Sequence, residues 1–333
     1  MTLSEPPSTP SILYPLALDR FLSYRLWGGT RLESFLDLGH HQGEEPLAES
    51  WQIYGGNHVL NGRFQGKTLD EVTAELGPDL IGTVASAQYS DTFPLLAKFL
   101  DAGDKLSIQV HPDDAYAHEH EAASGFRGKS EAWLILEAAP DAQIIWGFKD
   151  VLTPSEVKLA AREERLEPHL NFVSVKPGDV IYNPAGTVHG VNAGIFLFEI
   201  QQASDLTYRL YDYGRRDSHG NLRELHVDKA LAVAQLNPGV RARVAPKALG
   251  AGKTELISNE FFVVERWEVA DESHEMTNPT SADLLTVLSG KLTLRAGDTE
   301  VTLTQGASCV LPAMLGVYTL AGEGALLRCC VPD

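Results

Sequence analysis

Gln109, His111, Glu131 and His189 are side chains of metal-ligand type carried by three short segments, DAGDKLSIQVHPDDAY (101–116), GKSEAWLIL (128–136) and KPGDVIYNPAGTVHGVNAG (176–194). If the first segment runs as a strand, alternation places Ser107, Gln109 and His111 on one face and Leu106, Ile108 and Val110 on the other. The same period of two groups Lys129, Glu131 and Trp133, and His189 follows a turn built from Pro184 and Gly186. Imidazole, amide oxygen and carboxylate, with no cysteine nearby, suit a borderline divalent cation such as zinc. With a single anionic ligand the ion keeps net positive charge, which fits a Lewis acid better than a structural staple. Each residue alone has a blander reading, since a strand histidine usually packs and a lone glutamate is usually solvated. Four such groups in three strand-like segments favour the metal site.

Strands are the elements that must hold these groups. Short apolar runs at 93–100, 132–138, 142–148 and 194–200 are bounded by Gly, Pro, Asp or Asn, as in a sandwich or barrel. Helical patterns interrupt them at 68–77, with a Thr cap and a closing Gly77, and at 153–170, which opens on Thr-Pro and ends near Pro168. A third pattern, 224–239, stops at Pro-Gly. After Pro238 the composition shifts: 247–261 reads as a linker into further strands near 261–270, 283–297 and 307–322.

The run from Gly103 to His111 resembles the first motif of the cupin superfamily, with Gln109 in place of the usual first histidine, and Gly178, Pro184, Gly186 and His189 resemble the second. Asn192 falls one place short of the usual asparagine. Gly290 and the Gly306–Pro312 stretch echo the same turn spacing, but Met314 and Tyr318 stand where a second metal-binding copy would need ligands. The resemblance therefore implies a mainly β protein of two cupin-type jelly-roll barrels with a few short helices, the second barrel degenerate. The expected division is a metal-binding catalytic domain over 1–223, a helical connector and linker over 224–254, and a C-terminal β domain over 255–333.

The QVHPDD run, KSEAW, NPAGTVHG, FEIQQASDLTYRLYDYGR (198–215), RLWGG (25–29) and AESW (48–51) together resemble the type I mannose-6-phosphate isomerases, particularly the short bacterial form. That resemblance implies one zinc per chain on Gln109, His111, Glu131 and His189, with Arg209 and Lys129 at the active site. It also implies that Trp27, Glu49, Lys98, Ser107, Glu199 and Arg215 line a pocket for a small sugar phosphate. The implied reaction interconverts mannose 6-phosphate and fructose 6-phosphate through a cis-enediol or enediolate. Its base is left open among Lys129, Glu199 and a metal-bound water; His118 and His120 lie in what reads as an exposed helical start. Arg209 is always charged, so it stabilises charge or orients substrate, unless it is only a structural partner of Asp205 or Asp212. Two other readings are a cupin oxygenase using iron and a non-catalytic sugar-binding cupin. The glutamine ligand and basic lining oppose the first, and the presence of Lys129 and Arg209 opposes the second.

A net charge of −18 argues against nucleic acid or an anionic membrane as partner. A phosphorylated substrate then needs a local basic cluster, which Lys98, Lys129, Arg209 and Arg215 can supply. No apolar run reaches membrane-spanning length, and the start of the chain reads as a loose arm without signal-peptide character, so a cytoplasmic monomer or small homo-oligomer is expected. Cys309, Cys329 and Cys330 are expected as buried free thiols. Glu44 and Glu45 read as a solvated turn, while Trp27 is equally suited to a pocket wall and to a core.

Overall fold

The computed structural model describes residues 13–39, 43–90, 92–216, 220–238 and 242–333; the expected N-terminal arm lies largely outside them. Among the described residues the protein is mainly β, with antiparallel sheets of seven, five and nine strands. Successive strands from Leu95 to Tyr211 pass repeatedly between the first two sheets. Leu95–Ala102, Glu131–Ala138, Val180–Asn183 and Ile195–Gln202 belong to the seven-stranded sheet, whereas Ile108–Val110, Gln143–Phe148, Leu170–Ser174, His189–Val191 and Tyr208–Tyr211 form the five-stranded one.

Period-two alternation decides what each face does. In the seven-stranded sheet Leu95, Ala97, Phe99, Ala132, Leu134, Phe196, Phe198 and Ile200 join an outer core, while Leu100, Trp133, Ile135 and Leu197 face the five-stranded sheet. In the latter, Ile108, Val110, Ile145, Phe148, Tyr208 and Leu210 pack outward against the helices Pro154–Arg162 and Val227–Val233. Burying a large aliphatic or aromatic side chain of this kind contributes about 1.5–3 kcal/mol. Apolar residues therefore occupy the outward positions, and Gln109, Lys98, Glu199 and Arg209 are left facing the space between the sheets.

The nine-stranded sheet covers the outer face of the seven-stranded one. Leu256, Phe262, Leu284, Val310, Leu327 and Cys329 share a core with Phe99 and Phe198. Its own far side buries Trp267, Leu285, Leu292 and Tyr318, whereas Met314 is half exposed. Leu16–Ala17 pairs with Val310 and Cys309, the Leu18 amide donates to the Ser308 carbonyl, and Ser308 Oγ donates to Gln52 Oε1, so the start of the described chain closes an edge of the C-terminal sheet. The three cysteines are free and buried.

The helix Leu69–Leu76 has the expected boundaries, with Thr68 and Glu71 forming a reciprocal capping box. The expected helix over 153–170 ends early, at Arg162, because Glu164 takes a left-handed φ of 54° and the chain enters a strand at Leu170. That over 224–239 shrinks to Val227–Val233 when Ala234 becomes extended. Segment 247–261 is largely a hairpin, Lys247–Gly250 against Lys253–Ser258, at the edge of the nine-stranded sheet. Its polar composition reflects that edge position. No helix among the described residues is long and apolar enough to cross a membrane.

Candidate active site

Two cross-strand rows build the site. In the five-stranded sheet Arg209 pairs with Gln109, Gln109 with His189, and His189 with Trp146. In the seven-stranded sheet Trp133 pairs with Glu199, Glu199 with Lys98, and Lys98 with Trp51. Directly paired residues of an antiparallel sheet share a face, so both rows project into the gap. Glu131 stands two residues before Trp133 and joins its row's face. Trp27 enters through a close backbone approach: its carbonyl accepts the amides of Gly103 and Asp104, and a Cβ on Gly103 would lie 2.2 Å from the Gly28 carbonyl oxygen.

The imidazoles of His111 and His189 are fixed from behind. Each Nδ1 lies 2.8 Å from a backbone carbonyl, Leu206 and Thr187 respectively, which leaves Nε2 as the lone-pair nitrogen. Burial pushes His111 down to about 3 and His189 below the ordinary histidine value, so both rings are neutral at pH 7. His111 Nε2 stands 3.4 Å from Glu131 Oε2, and His189 Nε2 stands 3.3 Å from Glu131 Oε1, which is buried without a hydrogen-bond partner. Burial opposes the Glu131 charge, but Lys129, 2.9 Å from Oε2, leads the groups that hold its carboxyl well below the usual range. Lys129 Nζ, 3.2 Å from His111 Nε2, answers that side of the acceptor set, but Glu131 Oε1 meets no donor, and its contact with the His189 lone pair is repulsive unless a cation lies between them. The ligand atoms of these three residues fall within 4.8 Å of one another, a fit to a metal ion.

Gln109 stands beside them with Nε2 3.4 Å from His189 Nε2 and Oε1 accepting from Ser107 Oγ at 3.3 Å. The two ends of an amide are interchangeable by a half-turn. Turned over, Gln109 offers its oxygen to an ion and its NH2 to the Ser107 hydroxyl oxygen.

Of these groups Gln109, Lys129 and His189 line a cavity of about 450 Å³, together with Trp27, Glu49, Lys98, Ser107, Glu199 and Arg209, whereas His111 and Glu131 are not part of its lining. Lys98 Nζ bridges two carboxylates, at 3.1 Å from Glu199 and 3.3 Å from Glu49. Each carboxylate also accepts an indole N–H, Glu199 from Trp133 at 2.9 Å and Glu49 from Trp51 at 2.8 Å. Burial opposes the Lys98 charge, yet the two carboxylates outweigh it and raise its pKa above the ordinary lysine value. Burial would raise Glu49, but Lys98 and Trp51 bring it below the usual carboxylate value; Glu199 stays raised, by burial and then by the Glu131 charge.

Arg209 lines this cavity rather than pairing with Asp205 or Asp212: among the described residues its side chain forms no ion pair, and its Nε is buried without a partner. Arg215 does not line it. The left-handed Tyr213 and Gly214 fold the chain back so that the Arg215 amide bonds to the Asp212 carbonyl and its guanidinium to the Asp212 carboxylate and the Lys105 carbonyl. Leu106, expected with Ile108 and Val110, instead lines the cavity beside Ser107, because the regular strand begins only at Ile108. His118 and His120 are exposed at the end of the helix Asp114–His120. Arg25, Arg223, Tyr54 and Asp205 also line the cavity and carry no spacing signal that singles them out.

Residues 16–131 match the family model described as phosphomannose isomerase type I, catalytic domain, and residues 252–331 that of the mannose-6-phosphate isomerase cupin domain. A mannose-6-phosphate isomerase of Streptococcus mutans is 35% identical over 314 residues, covering 93% of this chain and 96% of the relative. The crystal structure of the mannose 6-phosphate isomerase from Bacillus subtilis is similar with a TM-score of 0.83 and 33% identity, covering 95% of this chain and 99% of that one. A zinc-bound mannose 6-phosphate isomerase structure shares the fold at a TM-score of 0.77 and 17% identity, over 96% of this chain and all of that one. With identity sustained over nearly the whole length and a buried His–Glu–His cluster in the gap between its sheets, the chain belongs to the type I mannose-6-phosphate isomerase family.

Proposed function

We propose that the chain interconverts mannose 6-phosphate and fructose 6-phosphate through a cis-enediolate, with one zinc ion held by Gln109, His111, Glu131 and His189. The observation that carries this reading is the set of buried, unprotonated acceptors of His111, Glu131 and His189 converging beside a cavity that His189 lines together with several cations. Two neutral imidazoles, an amide oxygen and one carboxylate match zinc in ligand type and leave it positive. When bound, the ion supplies a Lewis acid for the negative charge that develops on the substrate oxygens.

The remaining chemistry falls to the side chains. Glu199, with its raised pKa, is suited to accept a proton at one of the two reacting carbons and return it to the other. Lys98 and Trp133 hold its carboxylate in place, so orientation costs little when substrate arrives. Lys129, buried beside Glu131, is an N–H donor for a substrate oxygen, and Arg209 adds a fixed charge that favours the enediolate over the ground-state sugar. Trp27 and Trp133 give the sugar apolar walls and limit water. The test is to measure zinc in purified protein and assay conversion of mannose 6-phosphate before and after chelation. Activity that disappears with the metal and returns with zinc supports the reading; fully metal-loaded protein that leaves mannose 6-phosphate untouched overturns it.

A further inference from the structure

The cavity shares Arg25, Trp27 and Arg223 with an adjoining cleft of about 240 Å³. Arg209 stands in the cavity, and Arg215 and Arg216 line the cleft. Against these guanidinium groups the same two spaces expose the carboxylates of Asp205 and Glu45, since Glu49 and Glu199 are bound to Lys98. Asp212 lies at their edge, but its Oδ1 is taken by Arg215, and its Oδ2 is 3.7 Å from Arg223 Nη1 and buried without a hydrogen-bond partner. The rim is therefore left with excess positive charge in a chain whose net charge is −18. Arg223 registers the crowding: burial first, and then Arg209, lower its pKa against the opposing Asp212 charge, with Arg215 and Arg25 adding to the fall.

Like charges gathered at the mouth of a cavity are relieved by an anion, and planar guanidinium forks match a tetrahedral oxyanion with several acceptor oxygens. The proposed metal ligands and the Lys98 network take no part in the adjoining cleft that Arg25 and Arg223 share with the cavity, so an anion held there belongs to the non-reacting end of a substrate. We propose that Arg25 and Arg223 bind the phosphate group of a sugar phosphate at the cavity rim and so direct its reacting carbons inward. This rests on the isomerase reading for the identity of the sugar, whereas the anion site itself does not. It makes the two arginines the residues that select a phosphorylated sugar over a free one, and it leaves Arg209, in the same row as Gln109 and His189, to the reacting end.

Inorganic phosphate probes the rim alone, and mannose 6-phosphate probes turnover. In zinc-loaded protein, Arg223→Ala and Arg25→Ala are each expected to weaken inorganic phosphate binding, measured by calorimetry, by about tenfold or more, the loss of one charge-assisted hydrogen bond. KM for mannose 6-phosphate should rise by a similar factor with a smaller fall in kcat, the pattern of lost uniform binding, and Arg223→Lys should recover part of it. Melting temperature and zinc content distinguish this from misfolding. Arg25 is exposed and its guanidinium donates to the Tyr24 carbonyl next to it in sequence, so its removal keeps the test open even if Arg223→Ala unfolds. Unchanged phosphate affinity in Arg25→Ala together with unchanged affinity in either Arg223 variant overturns the assignment even in an active enzyme. Arginine-dependent phosphate binding in a protein that cannot isomerise mannose 6-phosphate upholds the rim site and removes the isomerase reading.

Discussion

Replacing Lys98 with Met removes an ammonium that bridges one buried and one largely buried carboxylate while keeping most of the side-chain volume. Lys98 is 8% exposed and Glu199 3%, and the two ion-pair distances are 3.1 and 3.3 Å. Breaking a buried ion pair by deleting one partner costs about 3–5 kcal/mol, because the other charge is left in a medium that solvates it poorly. Two carboxylates share this ammonium, but the indole donors of Trp133 and Trp51 remain, so the same range is expected at pH 8. For a chain of this size that is a fall in Tm of about 5–15 °C.

The loss should depend on pH with a definite sign. Without Lys98 the folded-state pKa of Glu49, now below the usual carboxylate value, rises, and that of Glu199, already raised, rises further. A carboxyl whose folded pKa lies above its unfolded value destabilises the fold as pH climbs through that folded value. The variant should therefore approach wild-type stability near pH 5 and fall behind it toward pH 8. Thermal melts of both proteins across this range, with zinc saturating, read the difference directly. A Tm gap that is absent, or constant from pH 5 to pH 8, refutes the view that Lys98 neutralises these two carboxylates.

Two further expectations concern the reacting end of the cavity. His189→Ala removes an Nε2 that faces Glu131 at 3.3 Å, so bound zinc, measured by elemental analysis after dialysis, should fall sharply; full zinc occupancy with full activity would remove His189 from the ligand set. Arg209→Ala should lower kcat by about two orders of magnitude while Tm and zinc content change little, since its guanidinium has no ion pair among the described residues; normal turnover with easy unfolding would return it to the scaffold.

The local part of this arrangement was legible in the sequence. Alternation alone separates Gln109 from Ile108 and Val110, and Thr68 with Glu71 announces a helix start that the fold reproduces. Signals that depend on distant partners were harder to read. Helix periodicity continues past Arg162, and nothing local reveals that Glu164 will adopt a left-handed backbone to bring Leu170 into a sheet. The polar stretch around Lys247 looks like a linker because an edge strand has only one neighbour to satisfy and little to bury. Arg25 and Arg223 meet across almost two hundred residues of sequence at one cavity mouth, a convergence that spacing cannot express. Arg215 reads like its neighbour Arg209 in the same motif, and only the turn at Tyr213 and Gly214 separates their destinations.

The pairing of Leu16 and Ala17 with Val310 and Cys309 bears on the order in which the molecule can assemble during synthesis. A ribosome releases the first partner of this contact long before the second, so the early segment must wait while the two inner sheets form. Until then Leu16 and Ala17 have no strand to pair with, the Leu18 amide lacks the Ser308 carbonyl, and Gln52 Oε1 lacks the hydroxyl that will reach it. Closing a loop of almost the whole described chain adds little entropy over closing half of it, because the cost grows only with the logarithm of length. The delay is thus one of time rather than of equilibrium, and the outer core around Phe99 and Phe198 is complete only once the C-terminal sheet has docked.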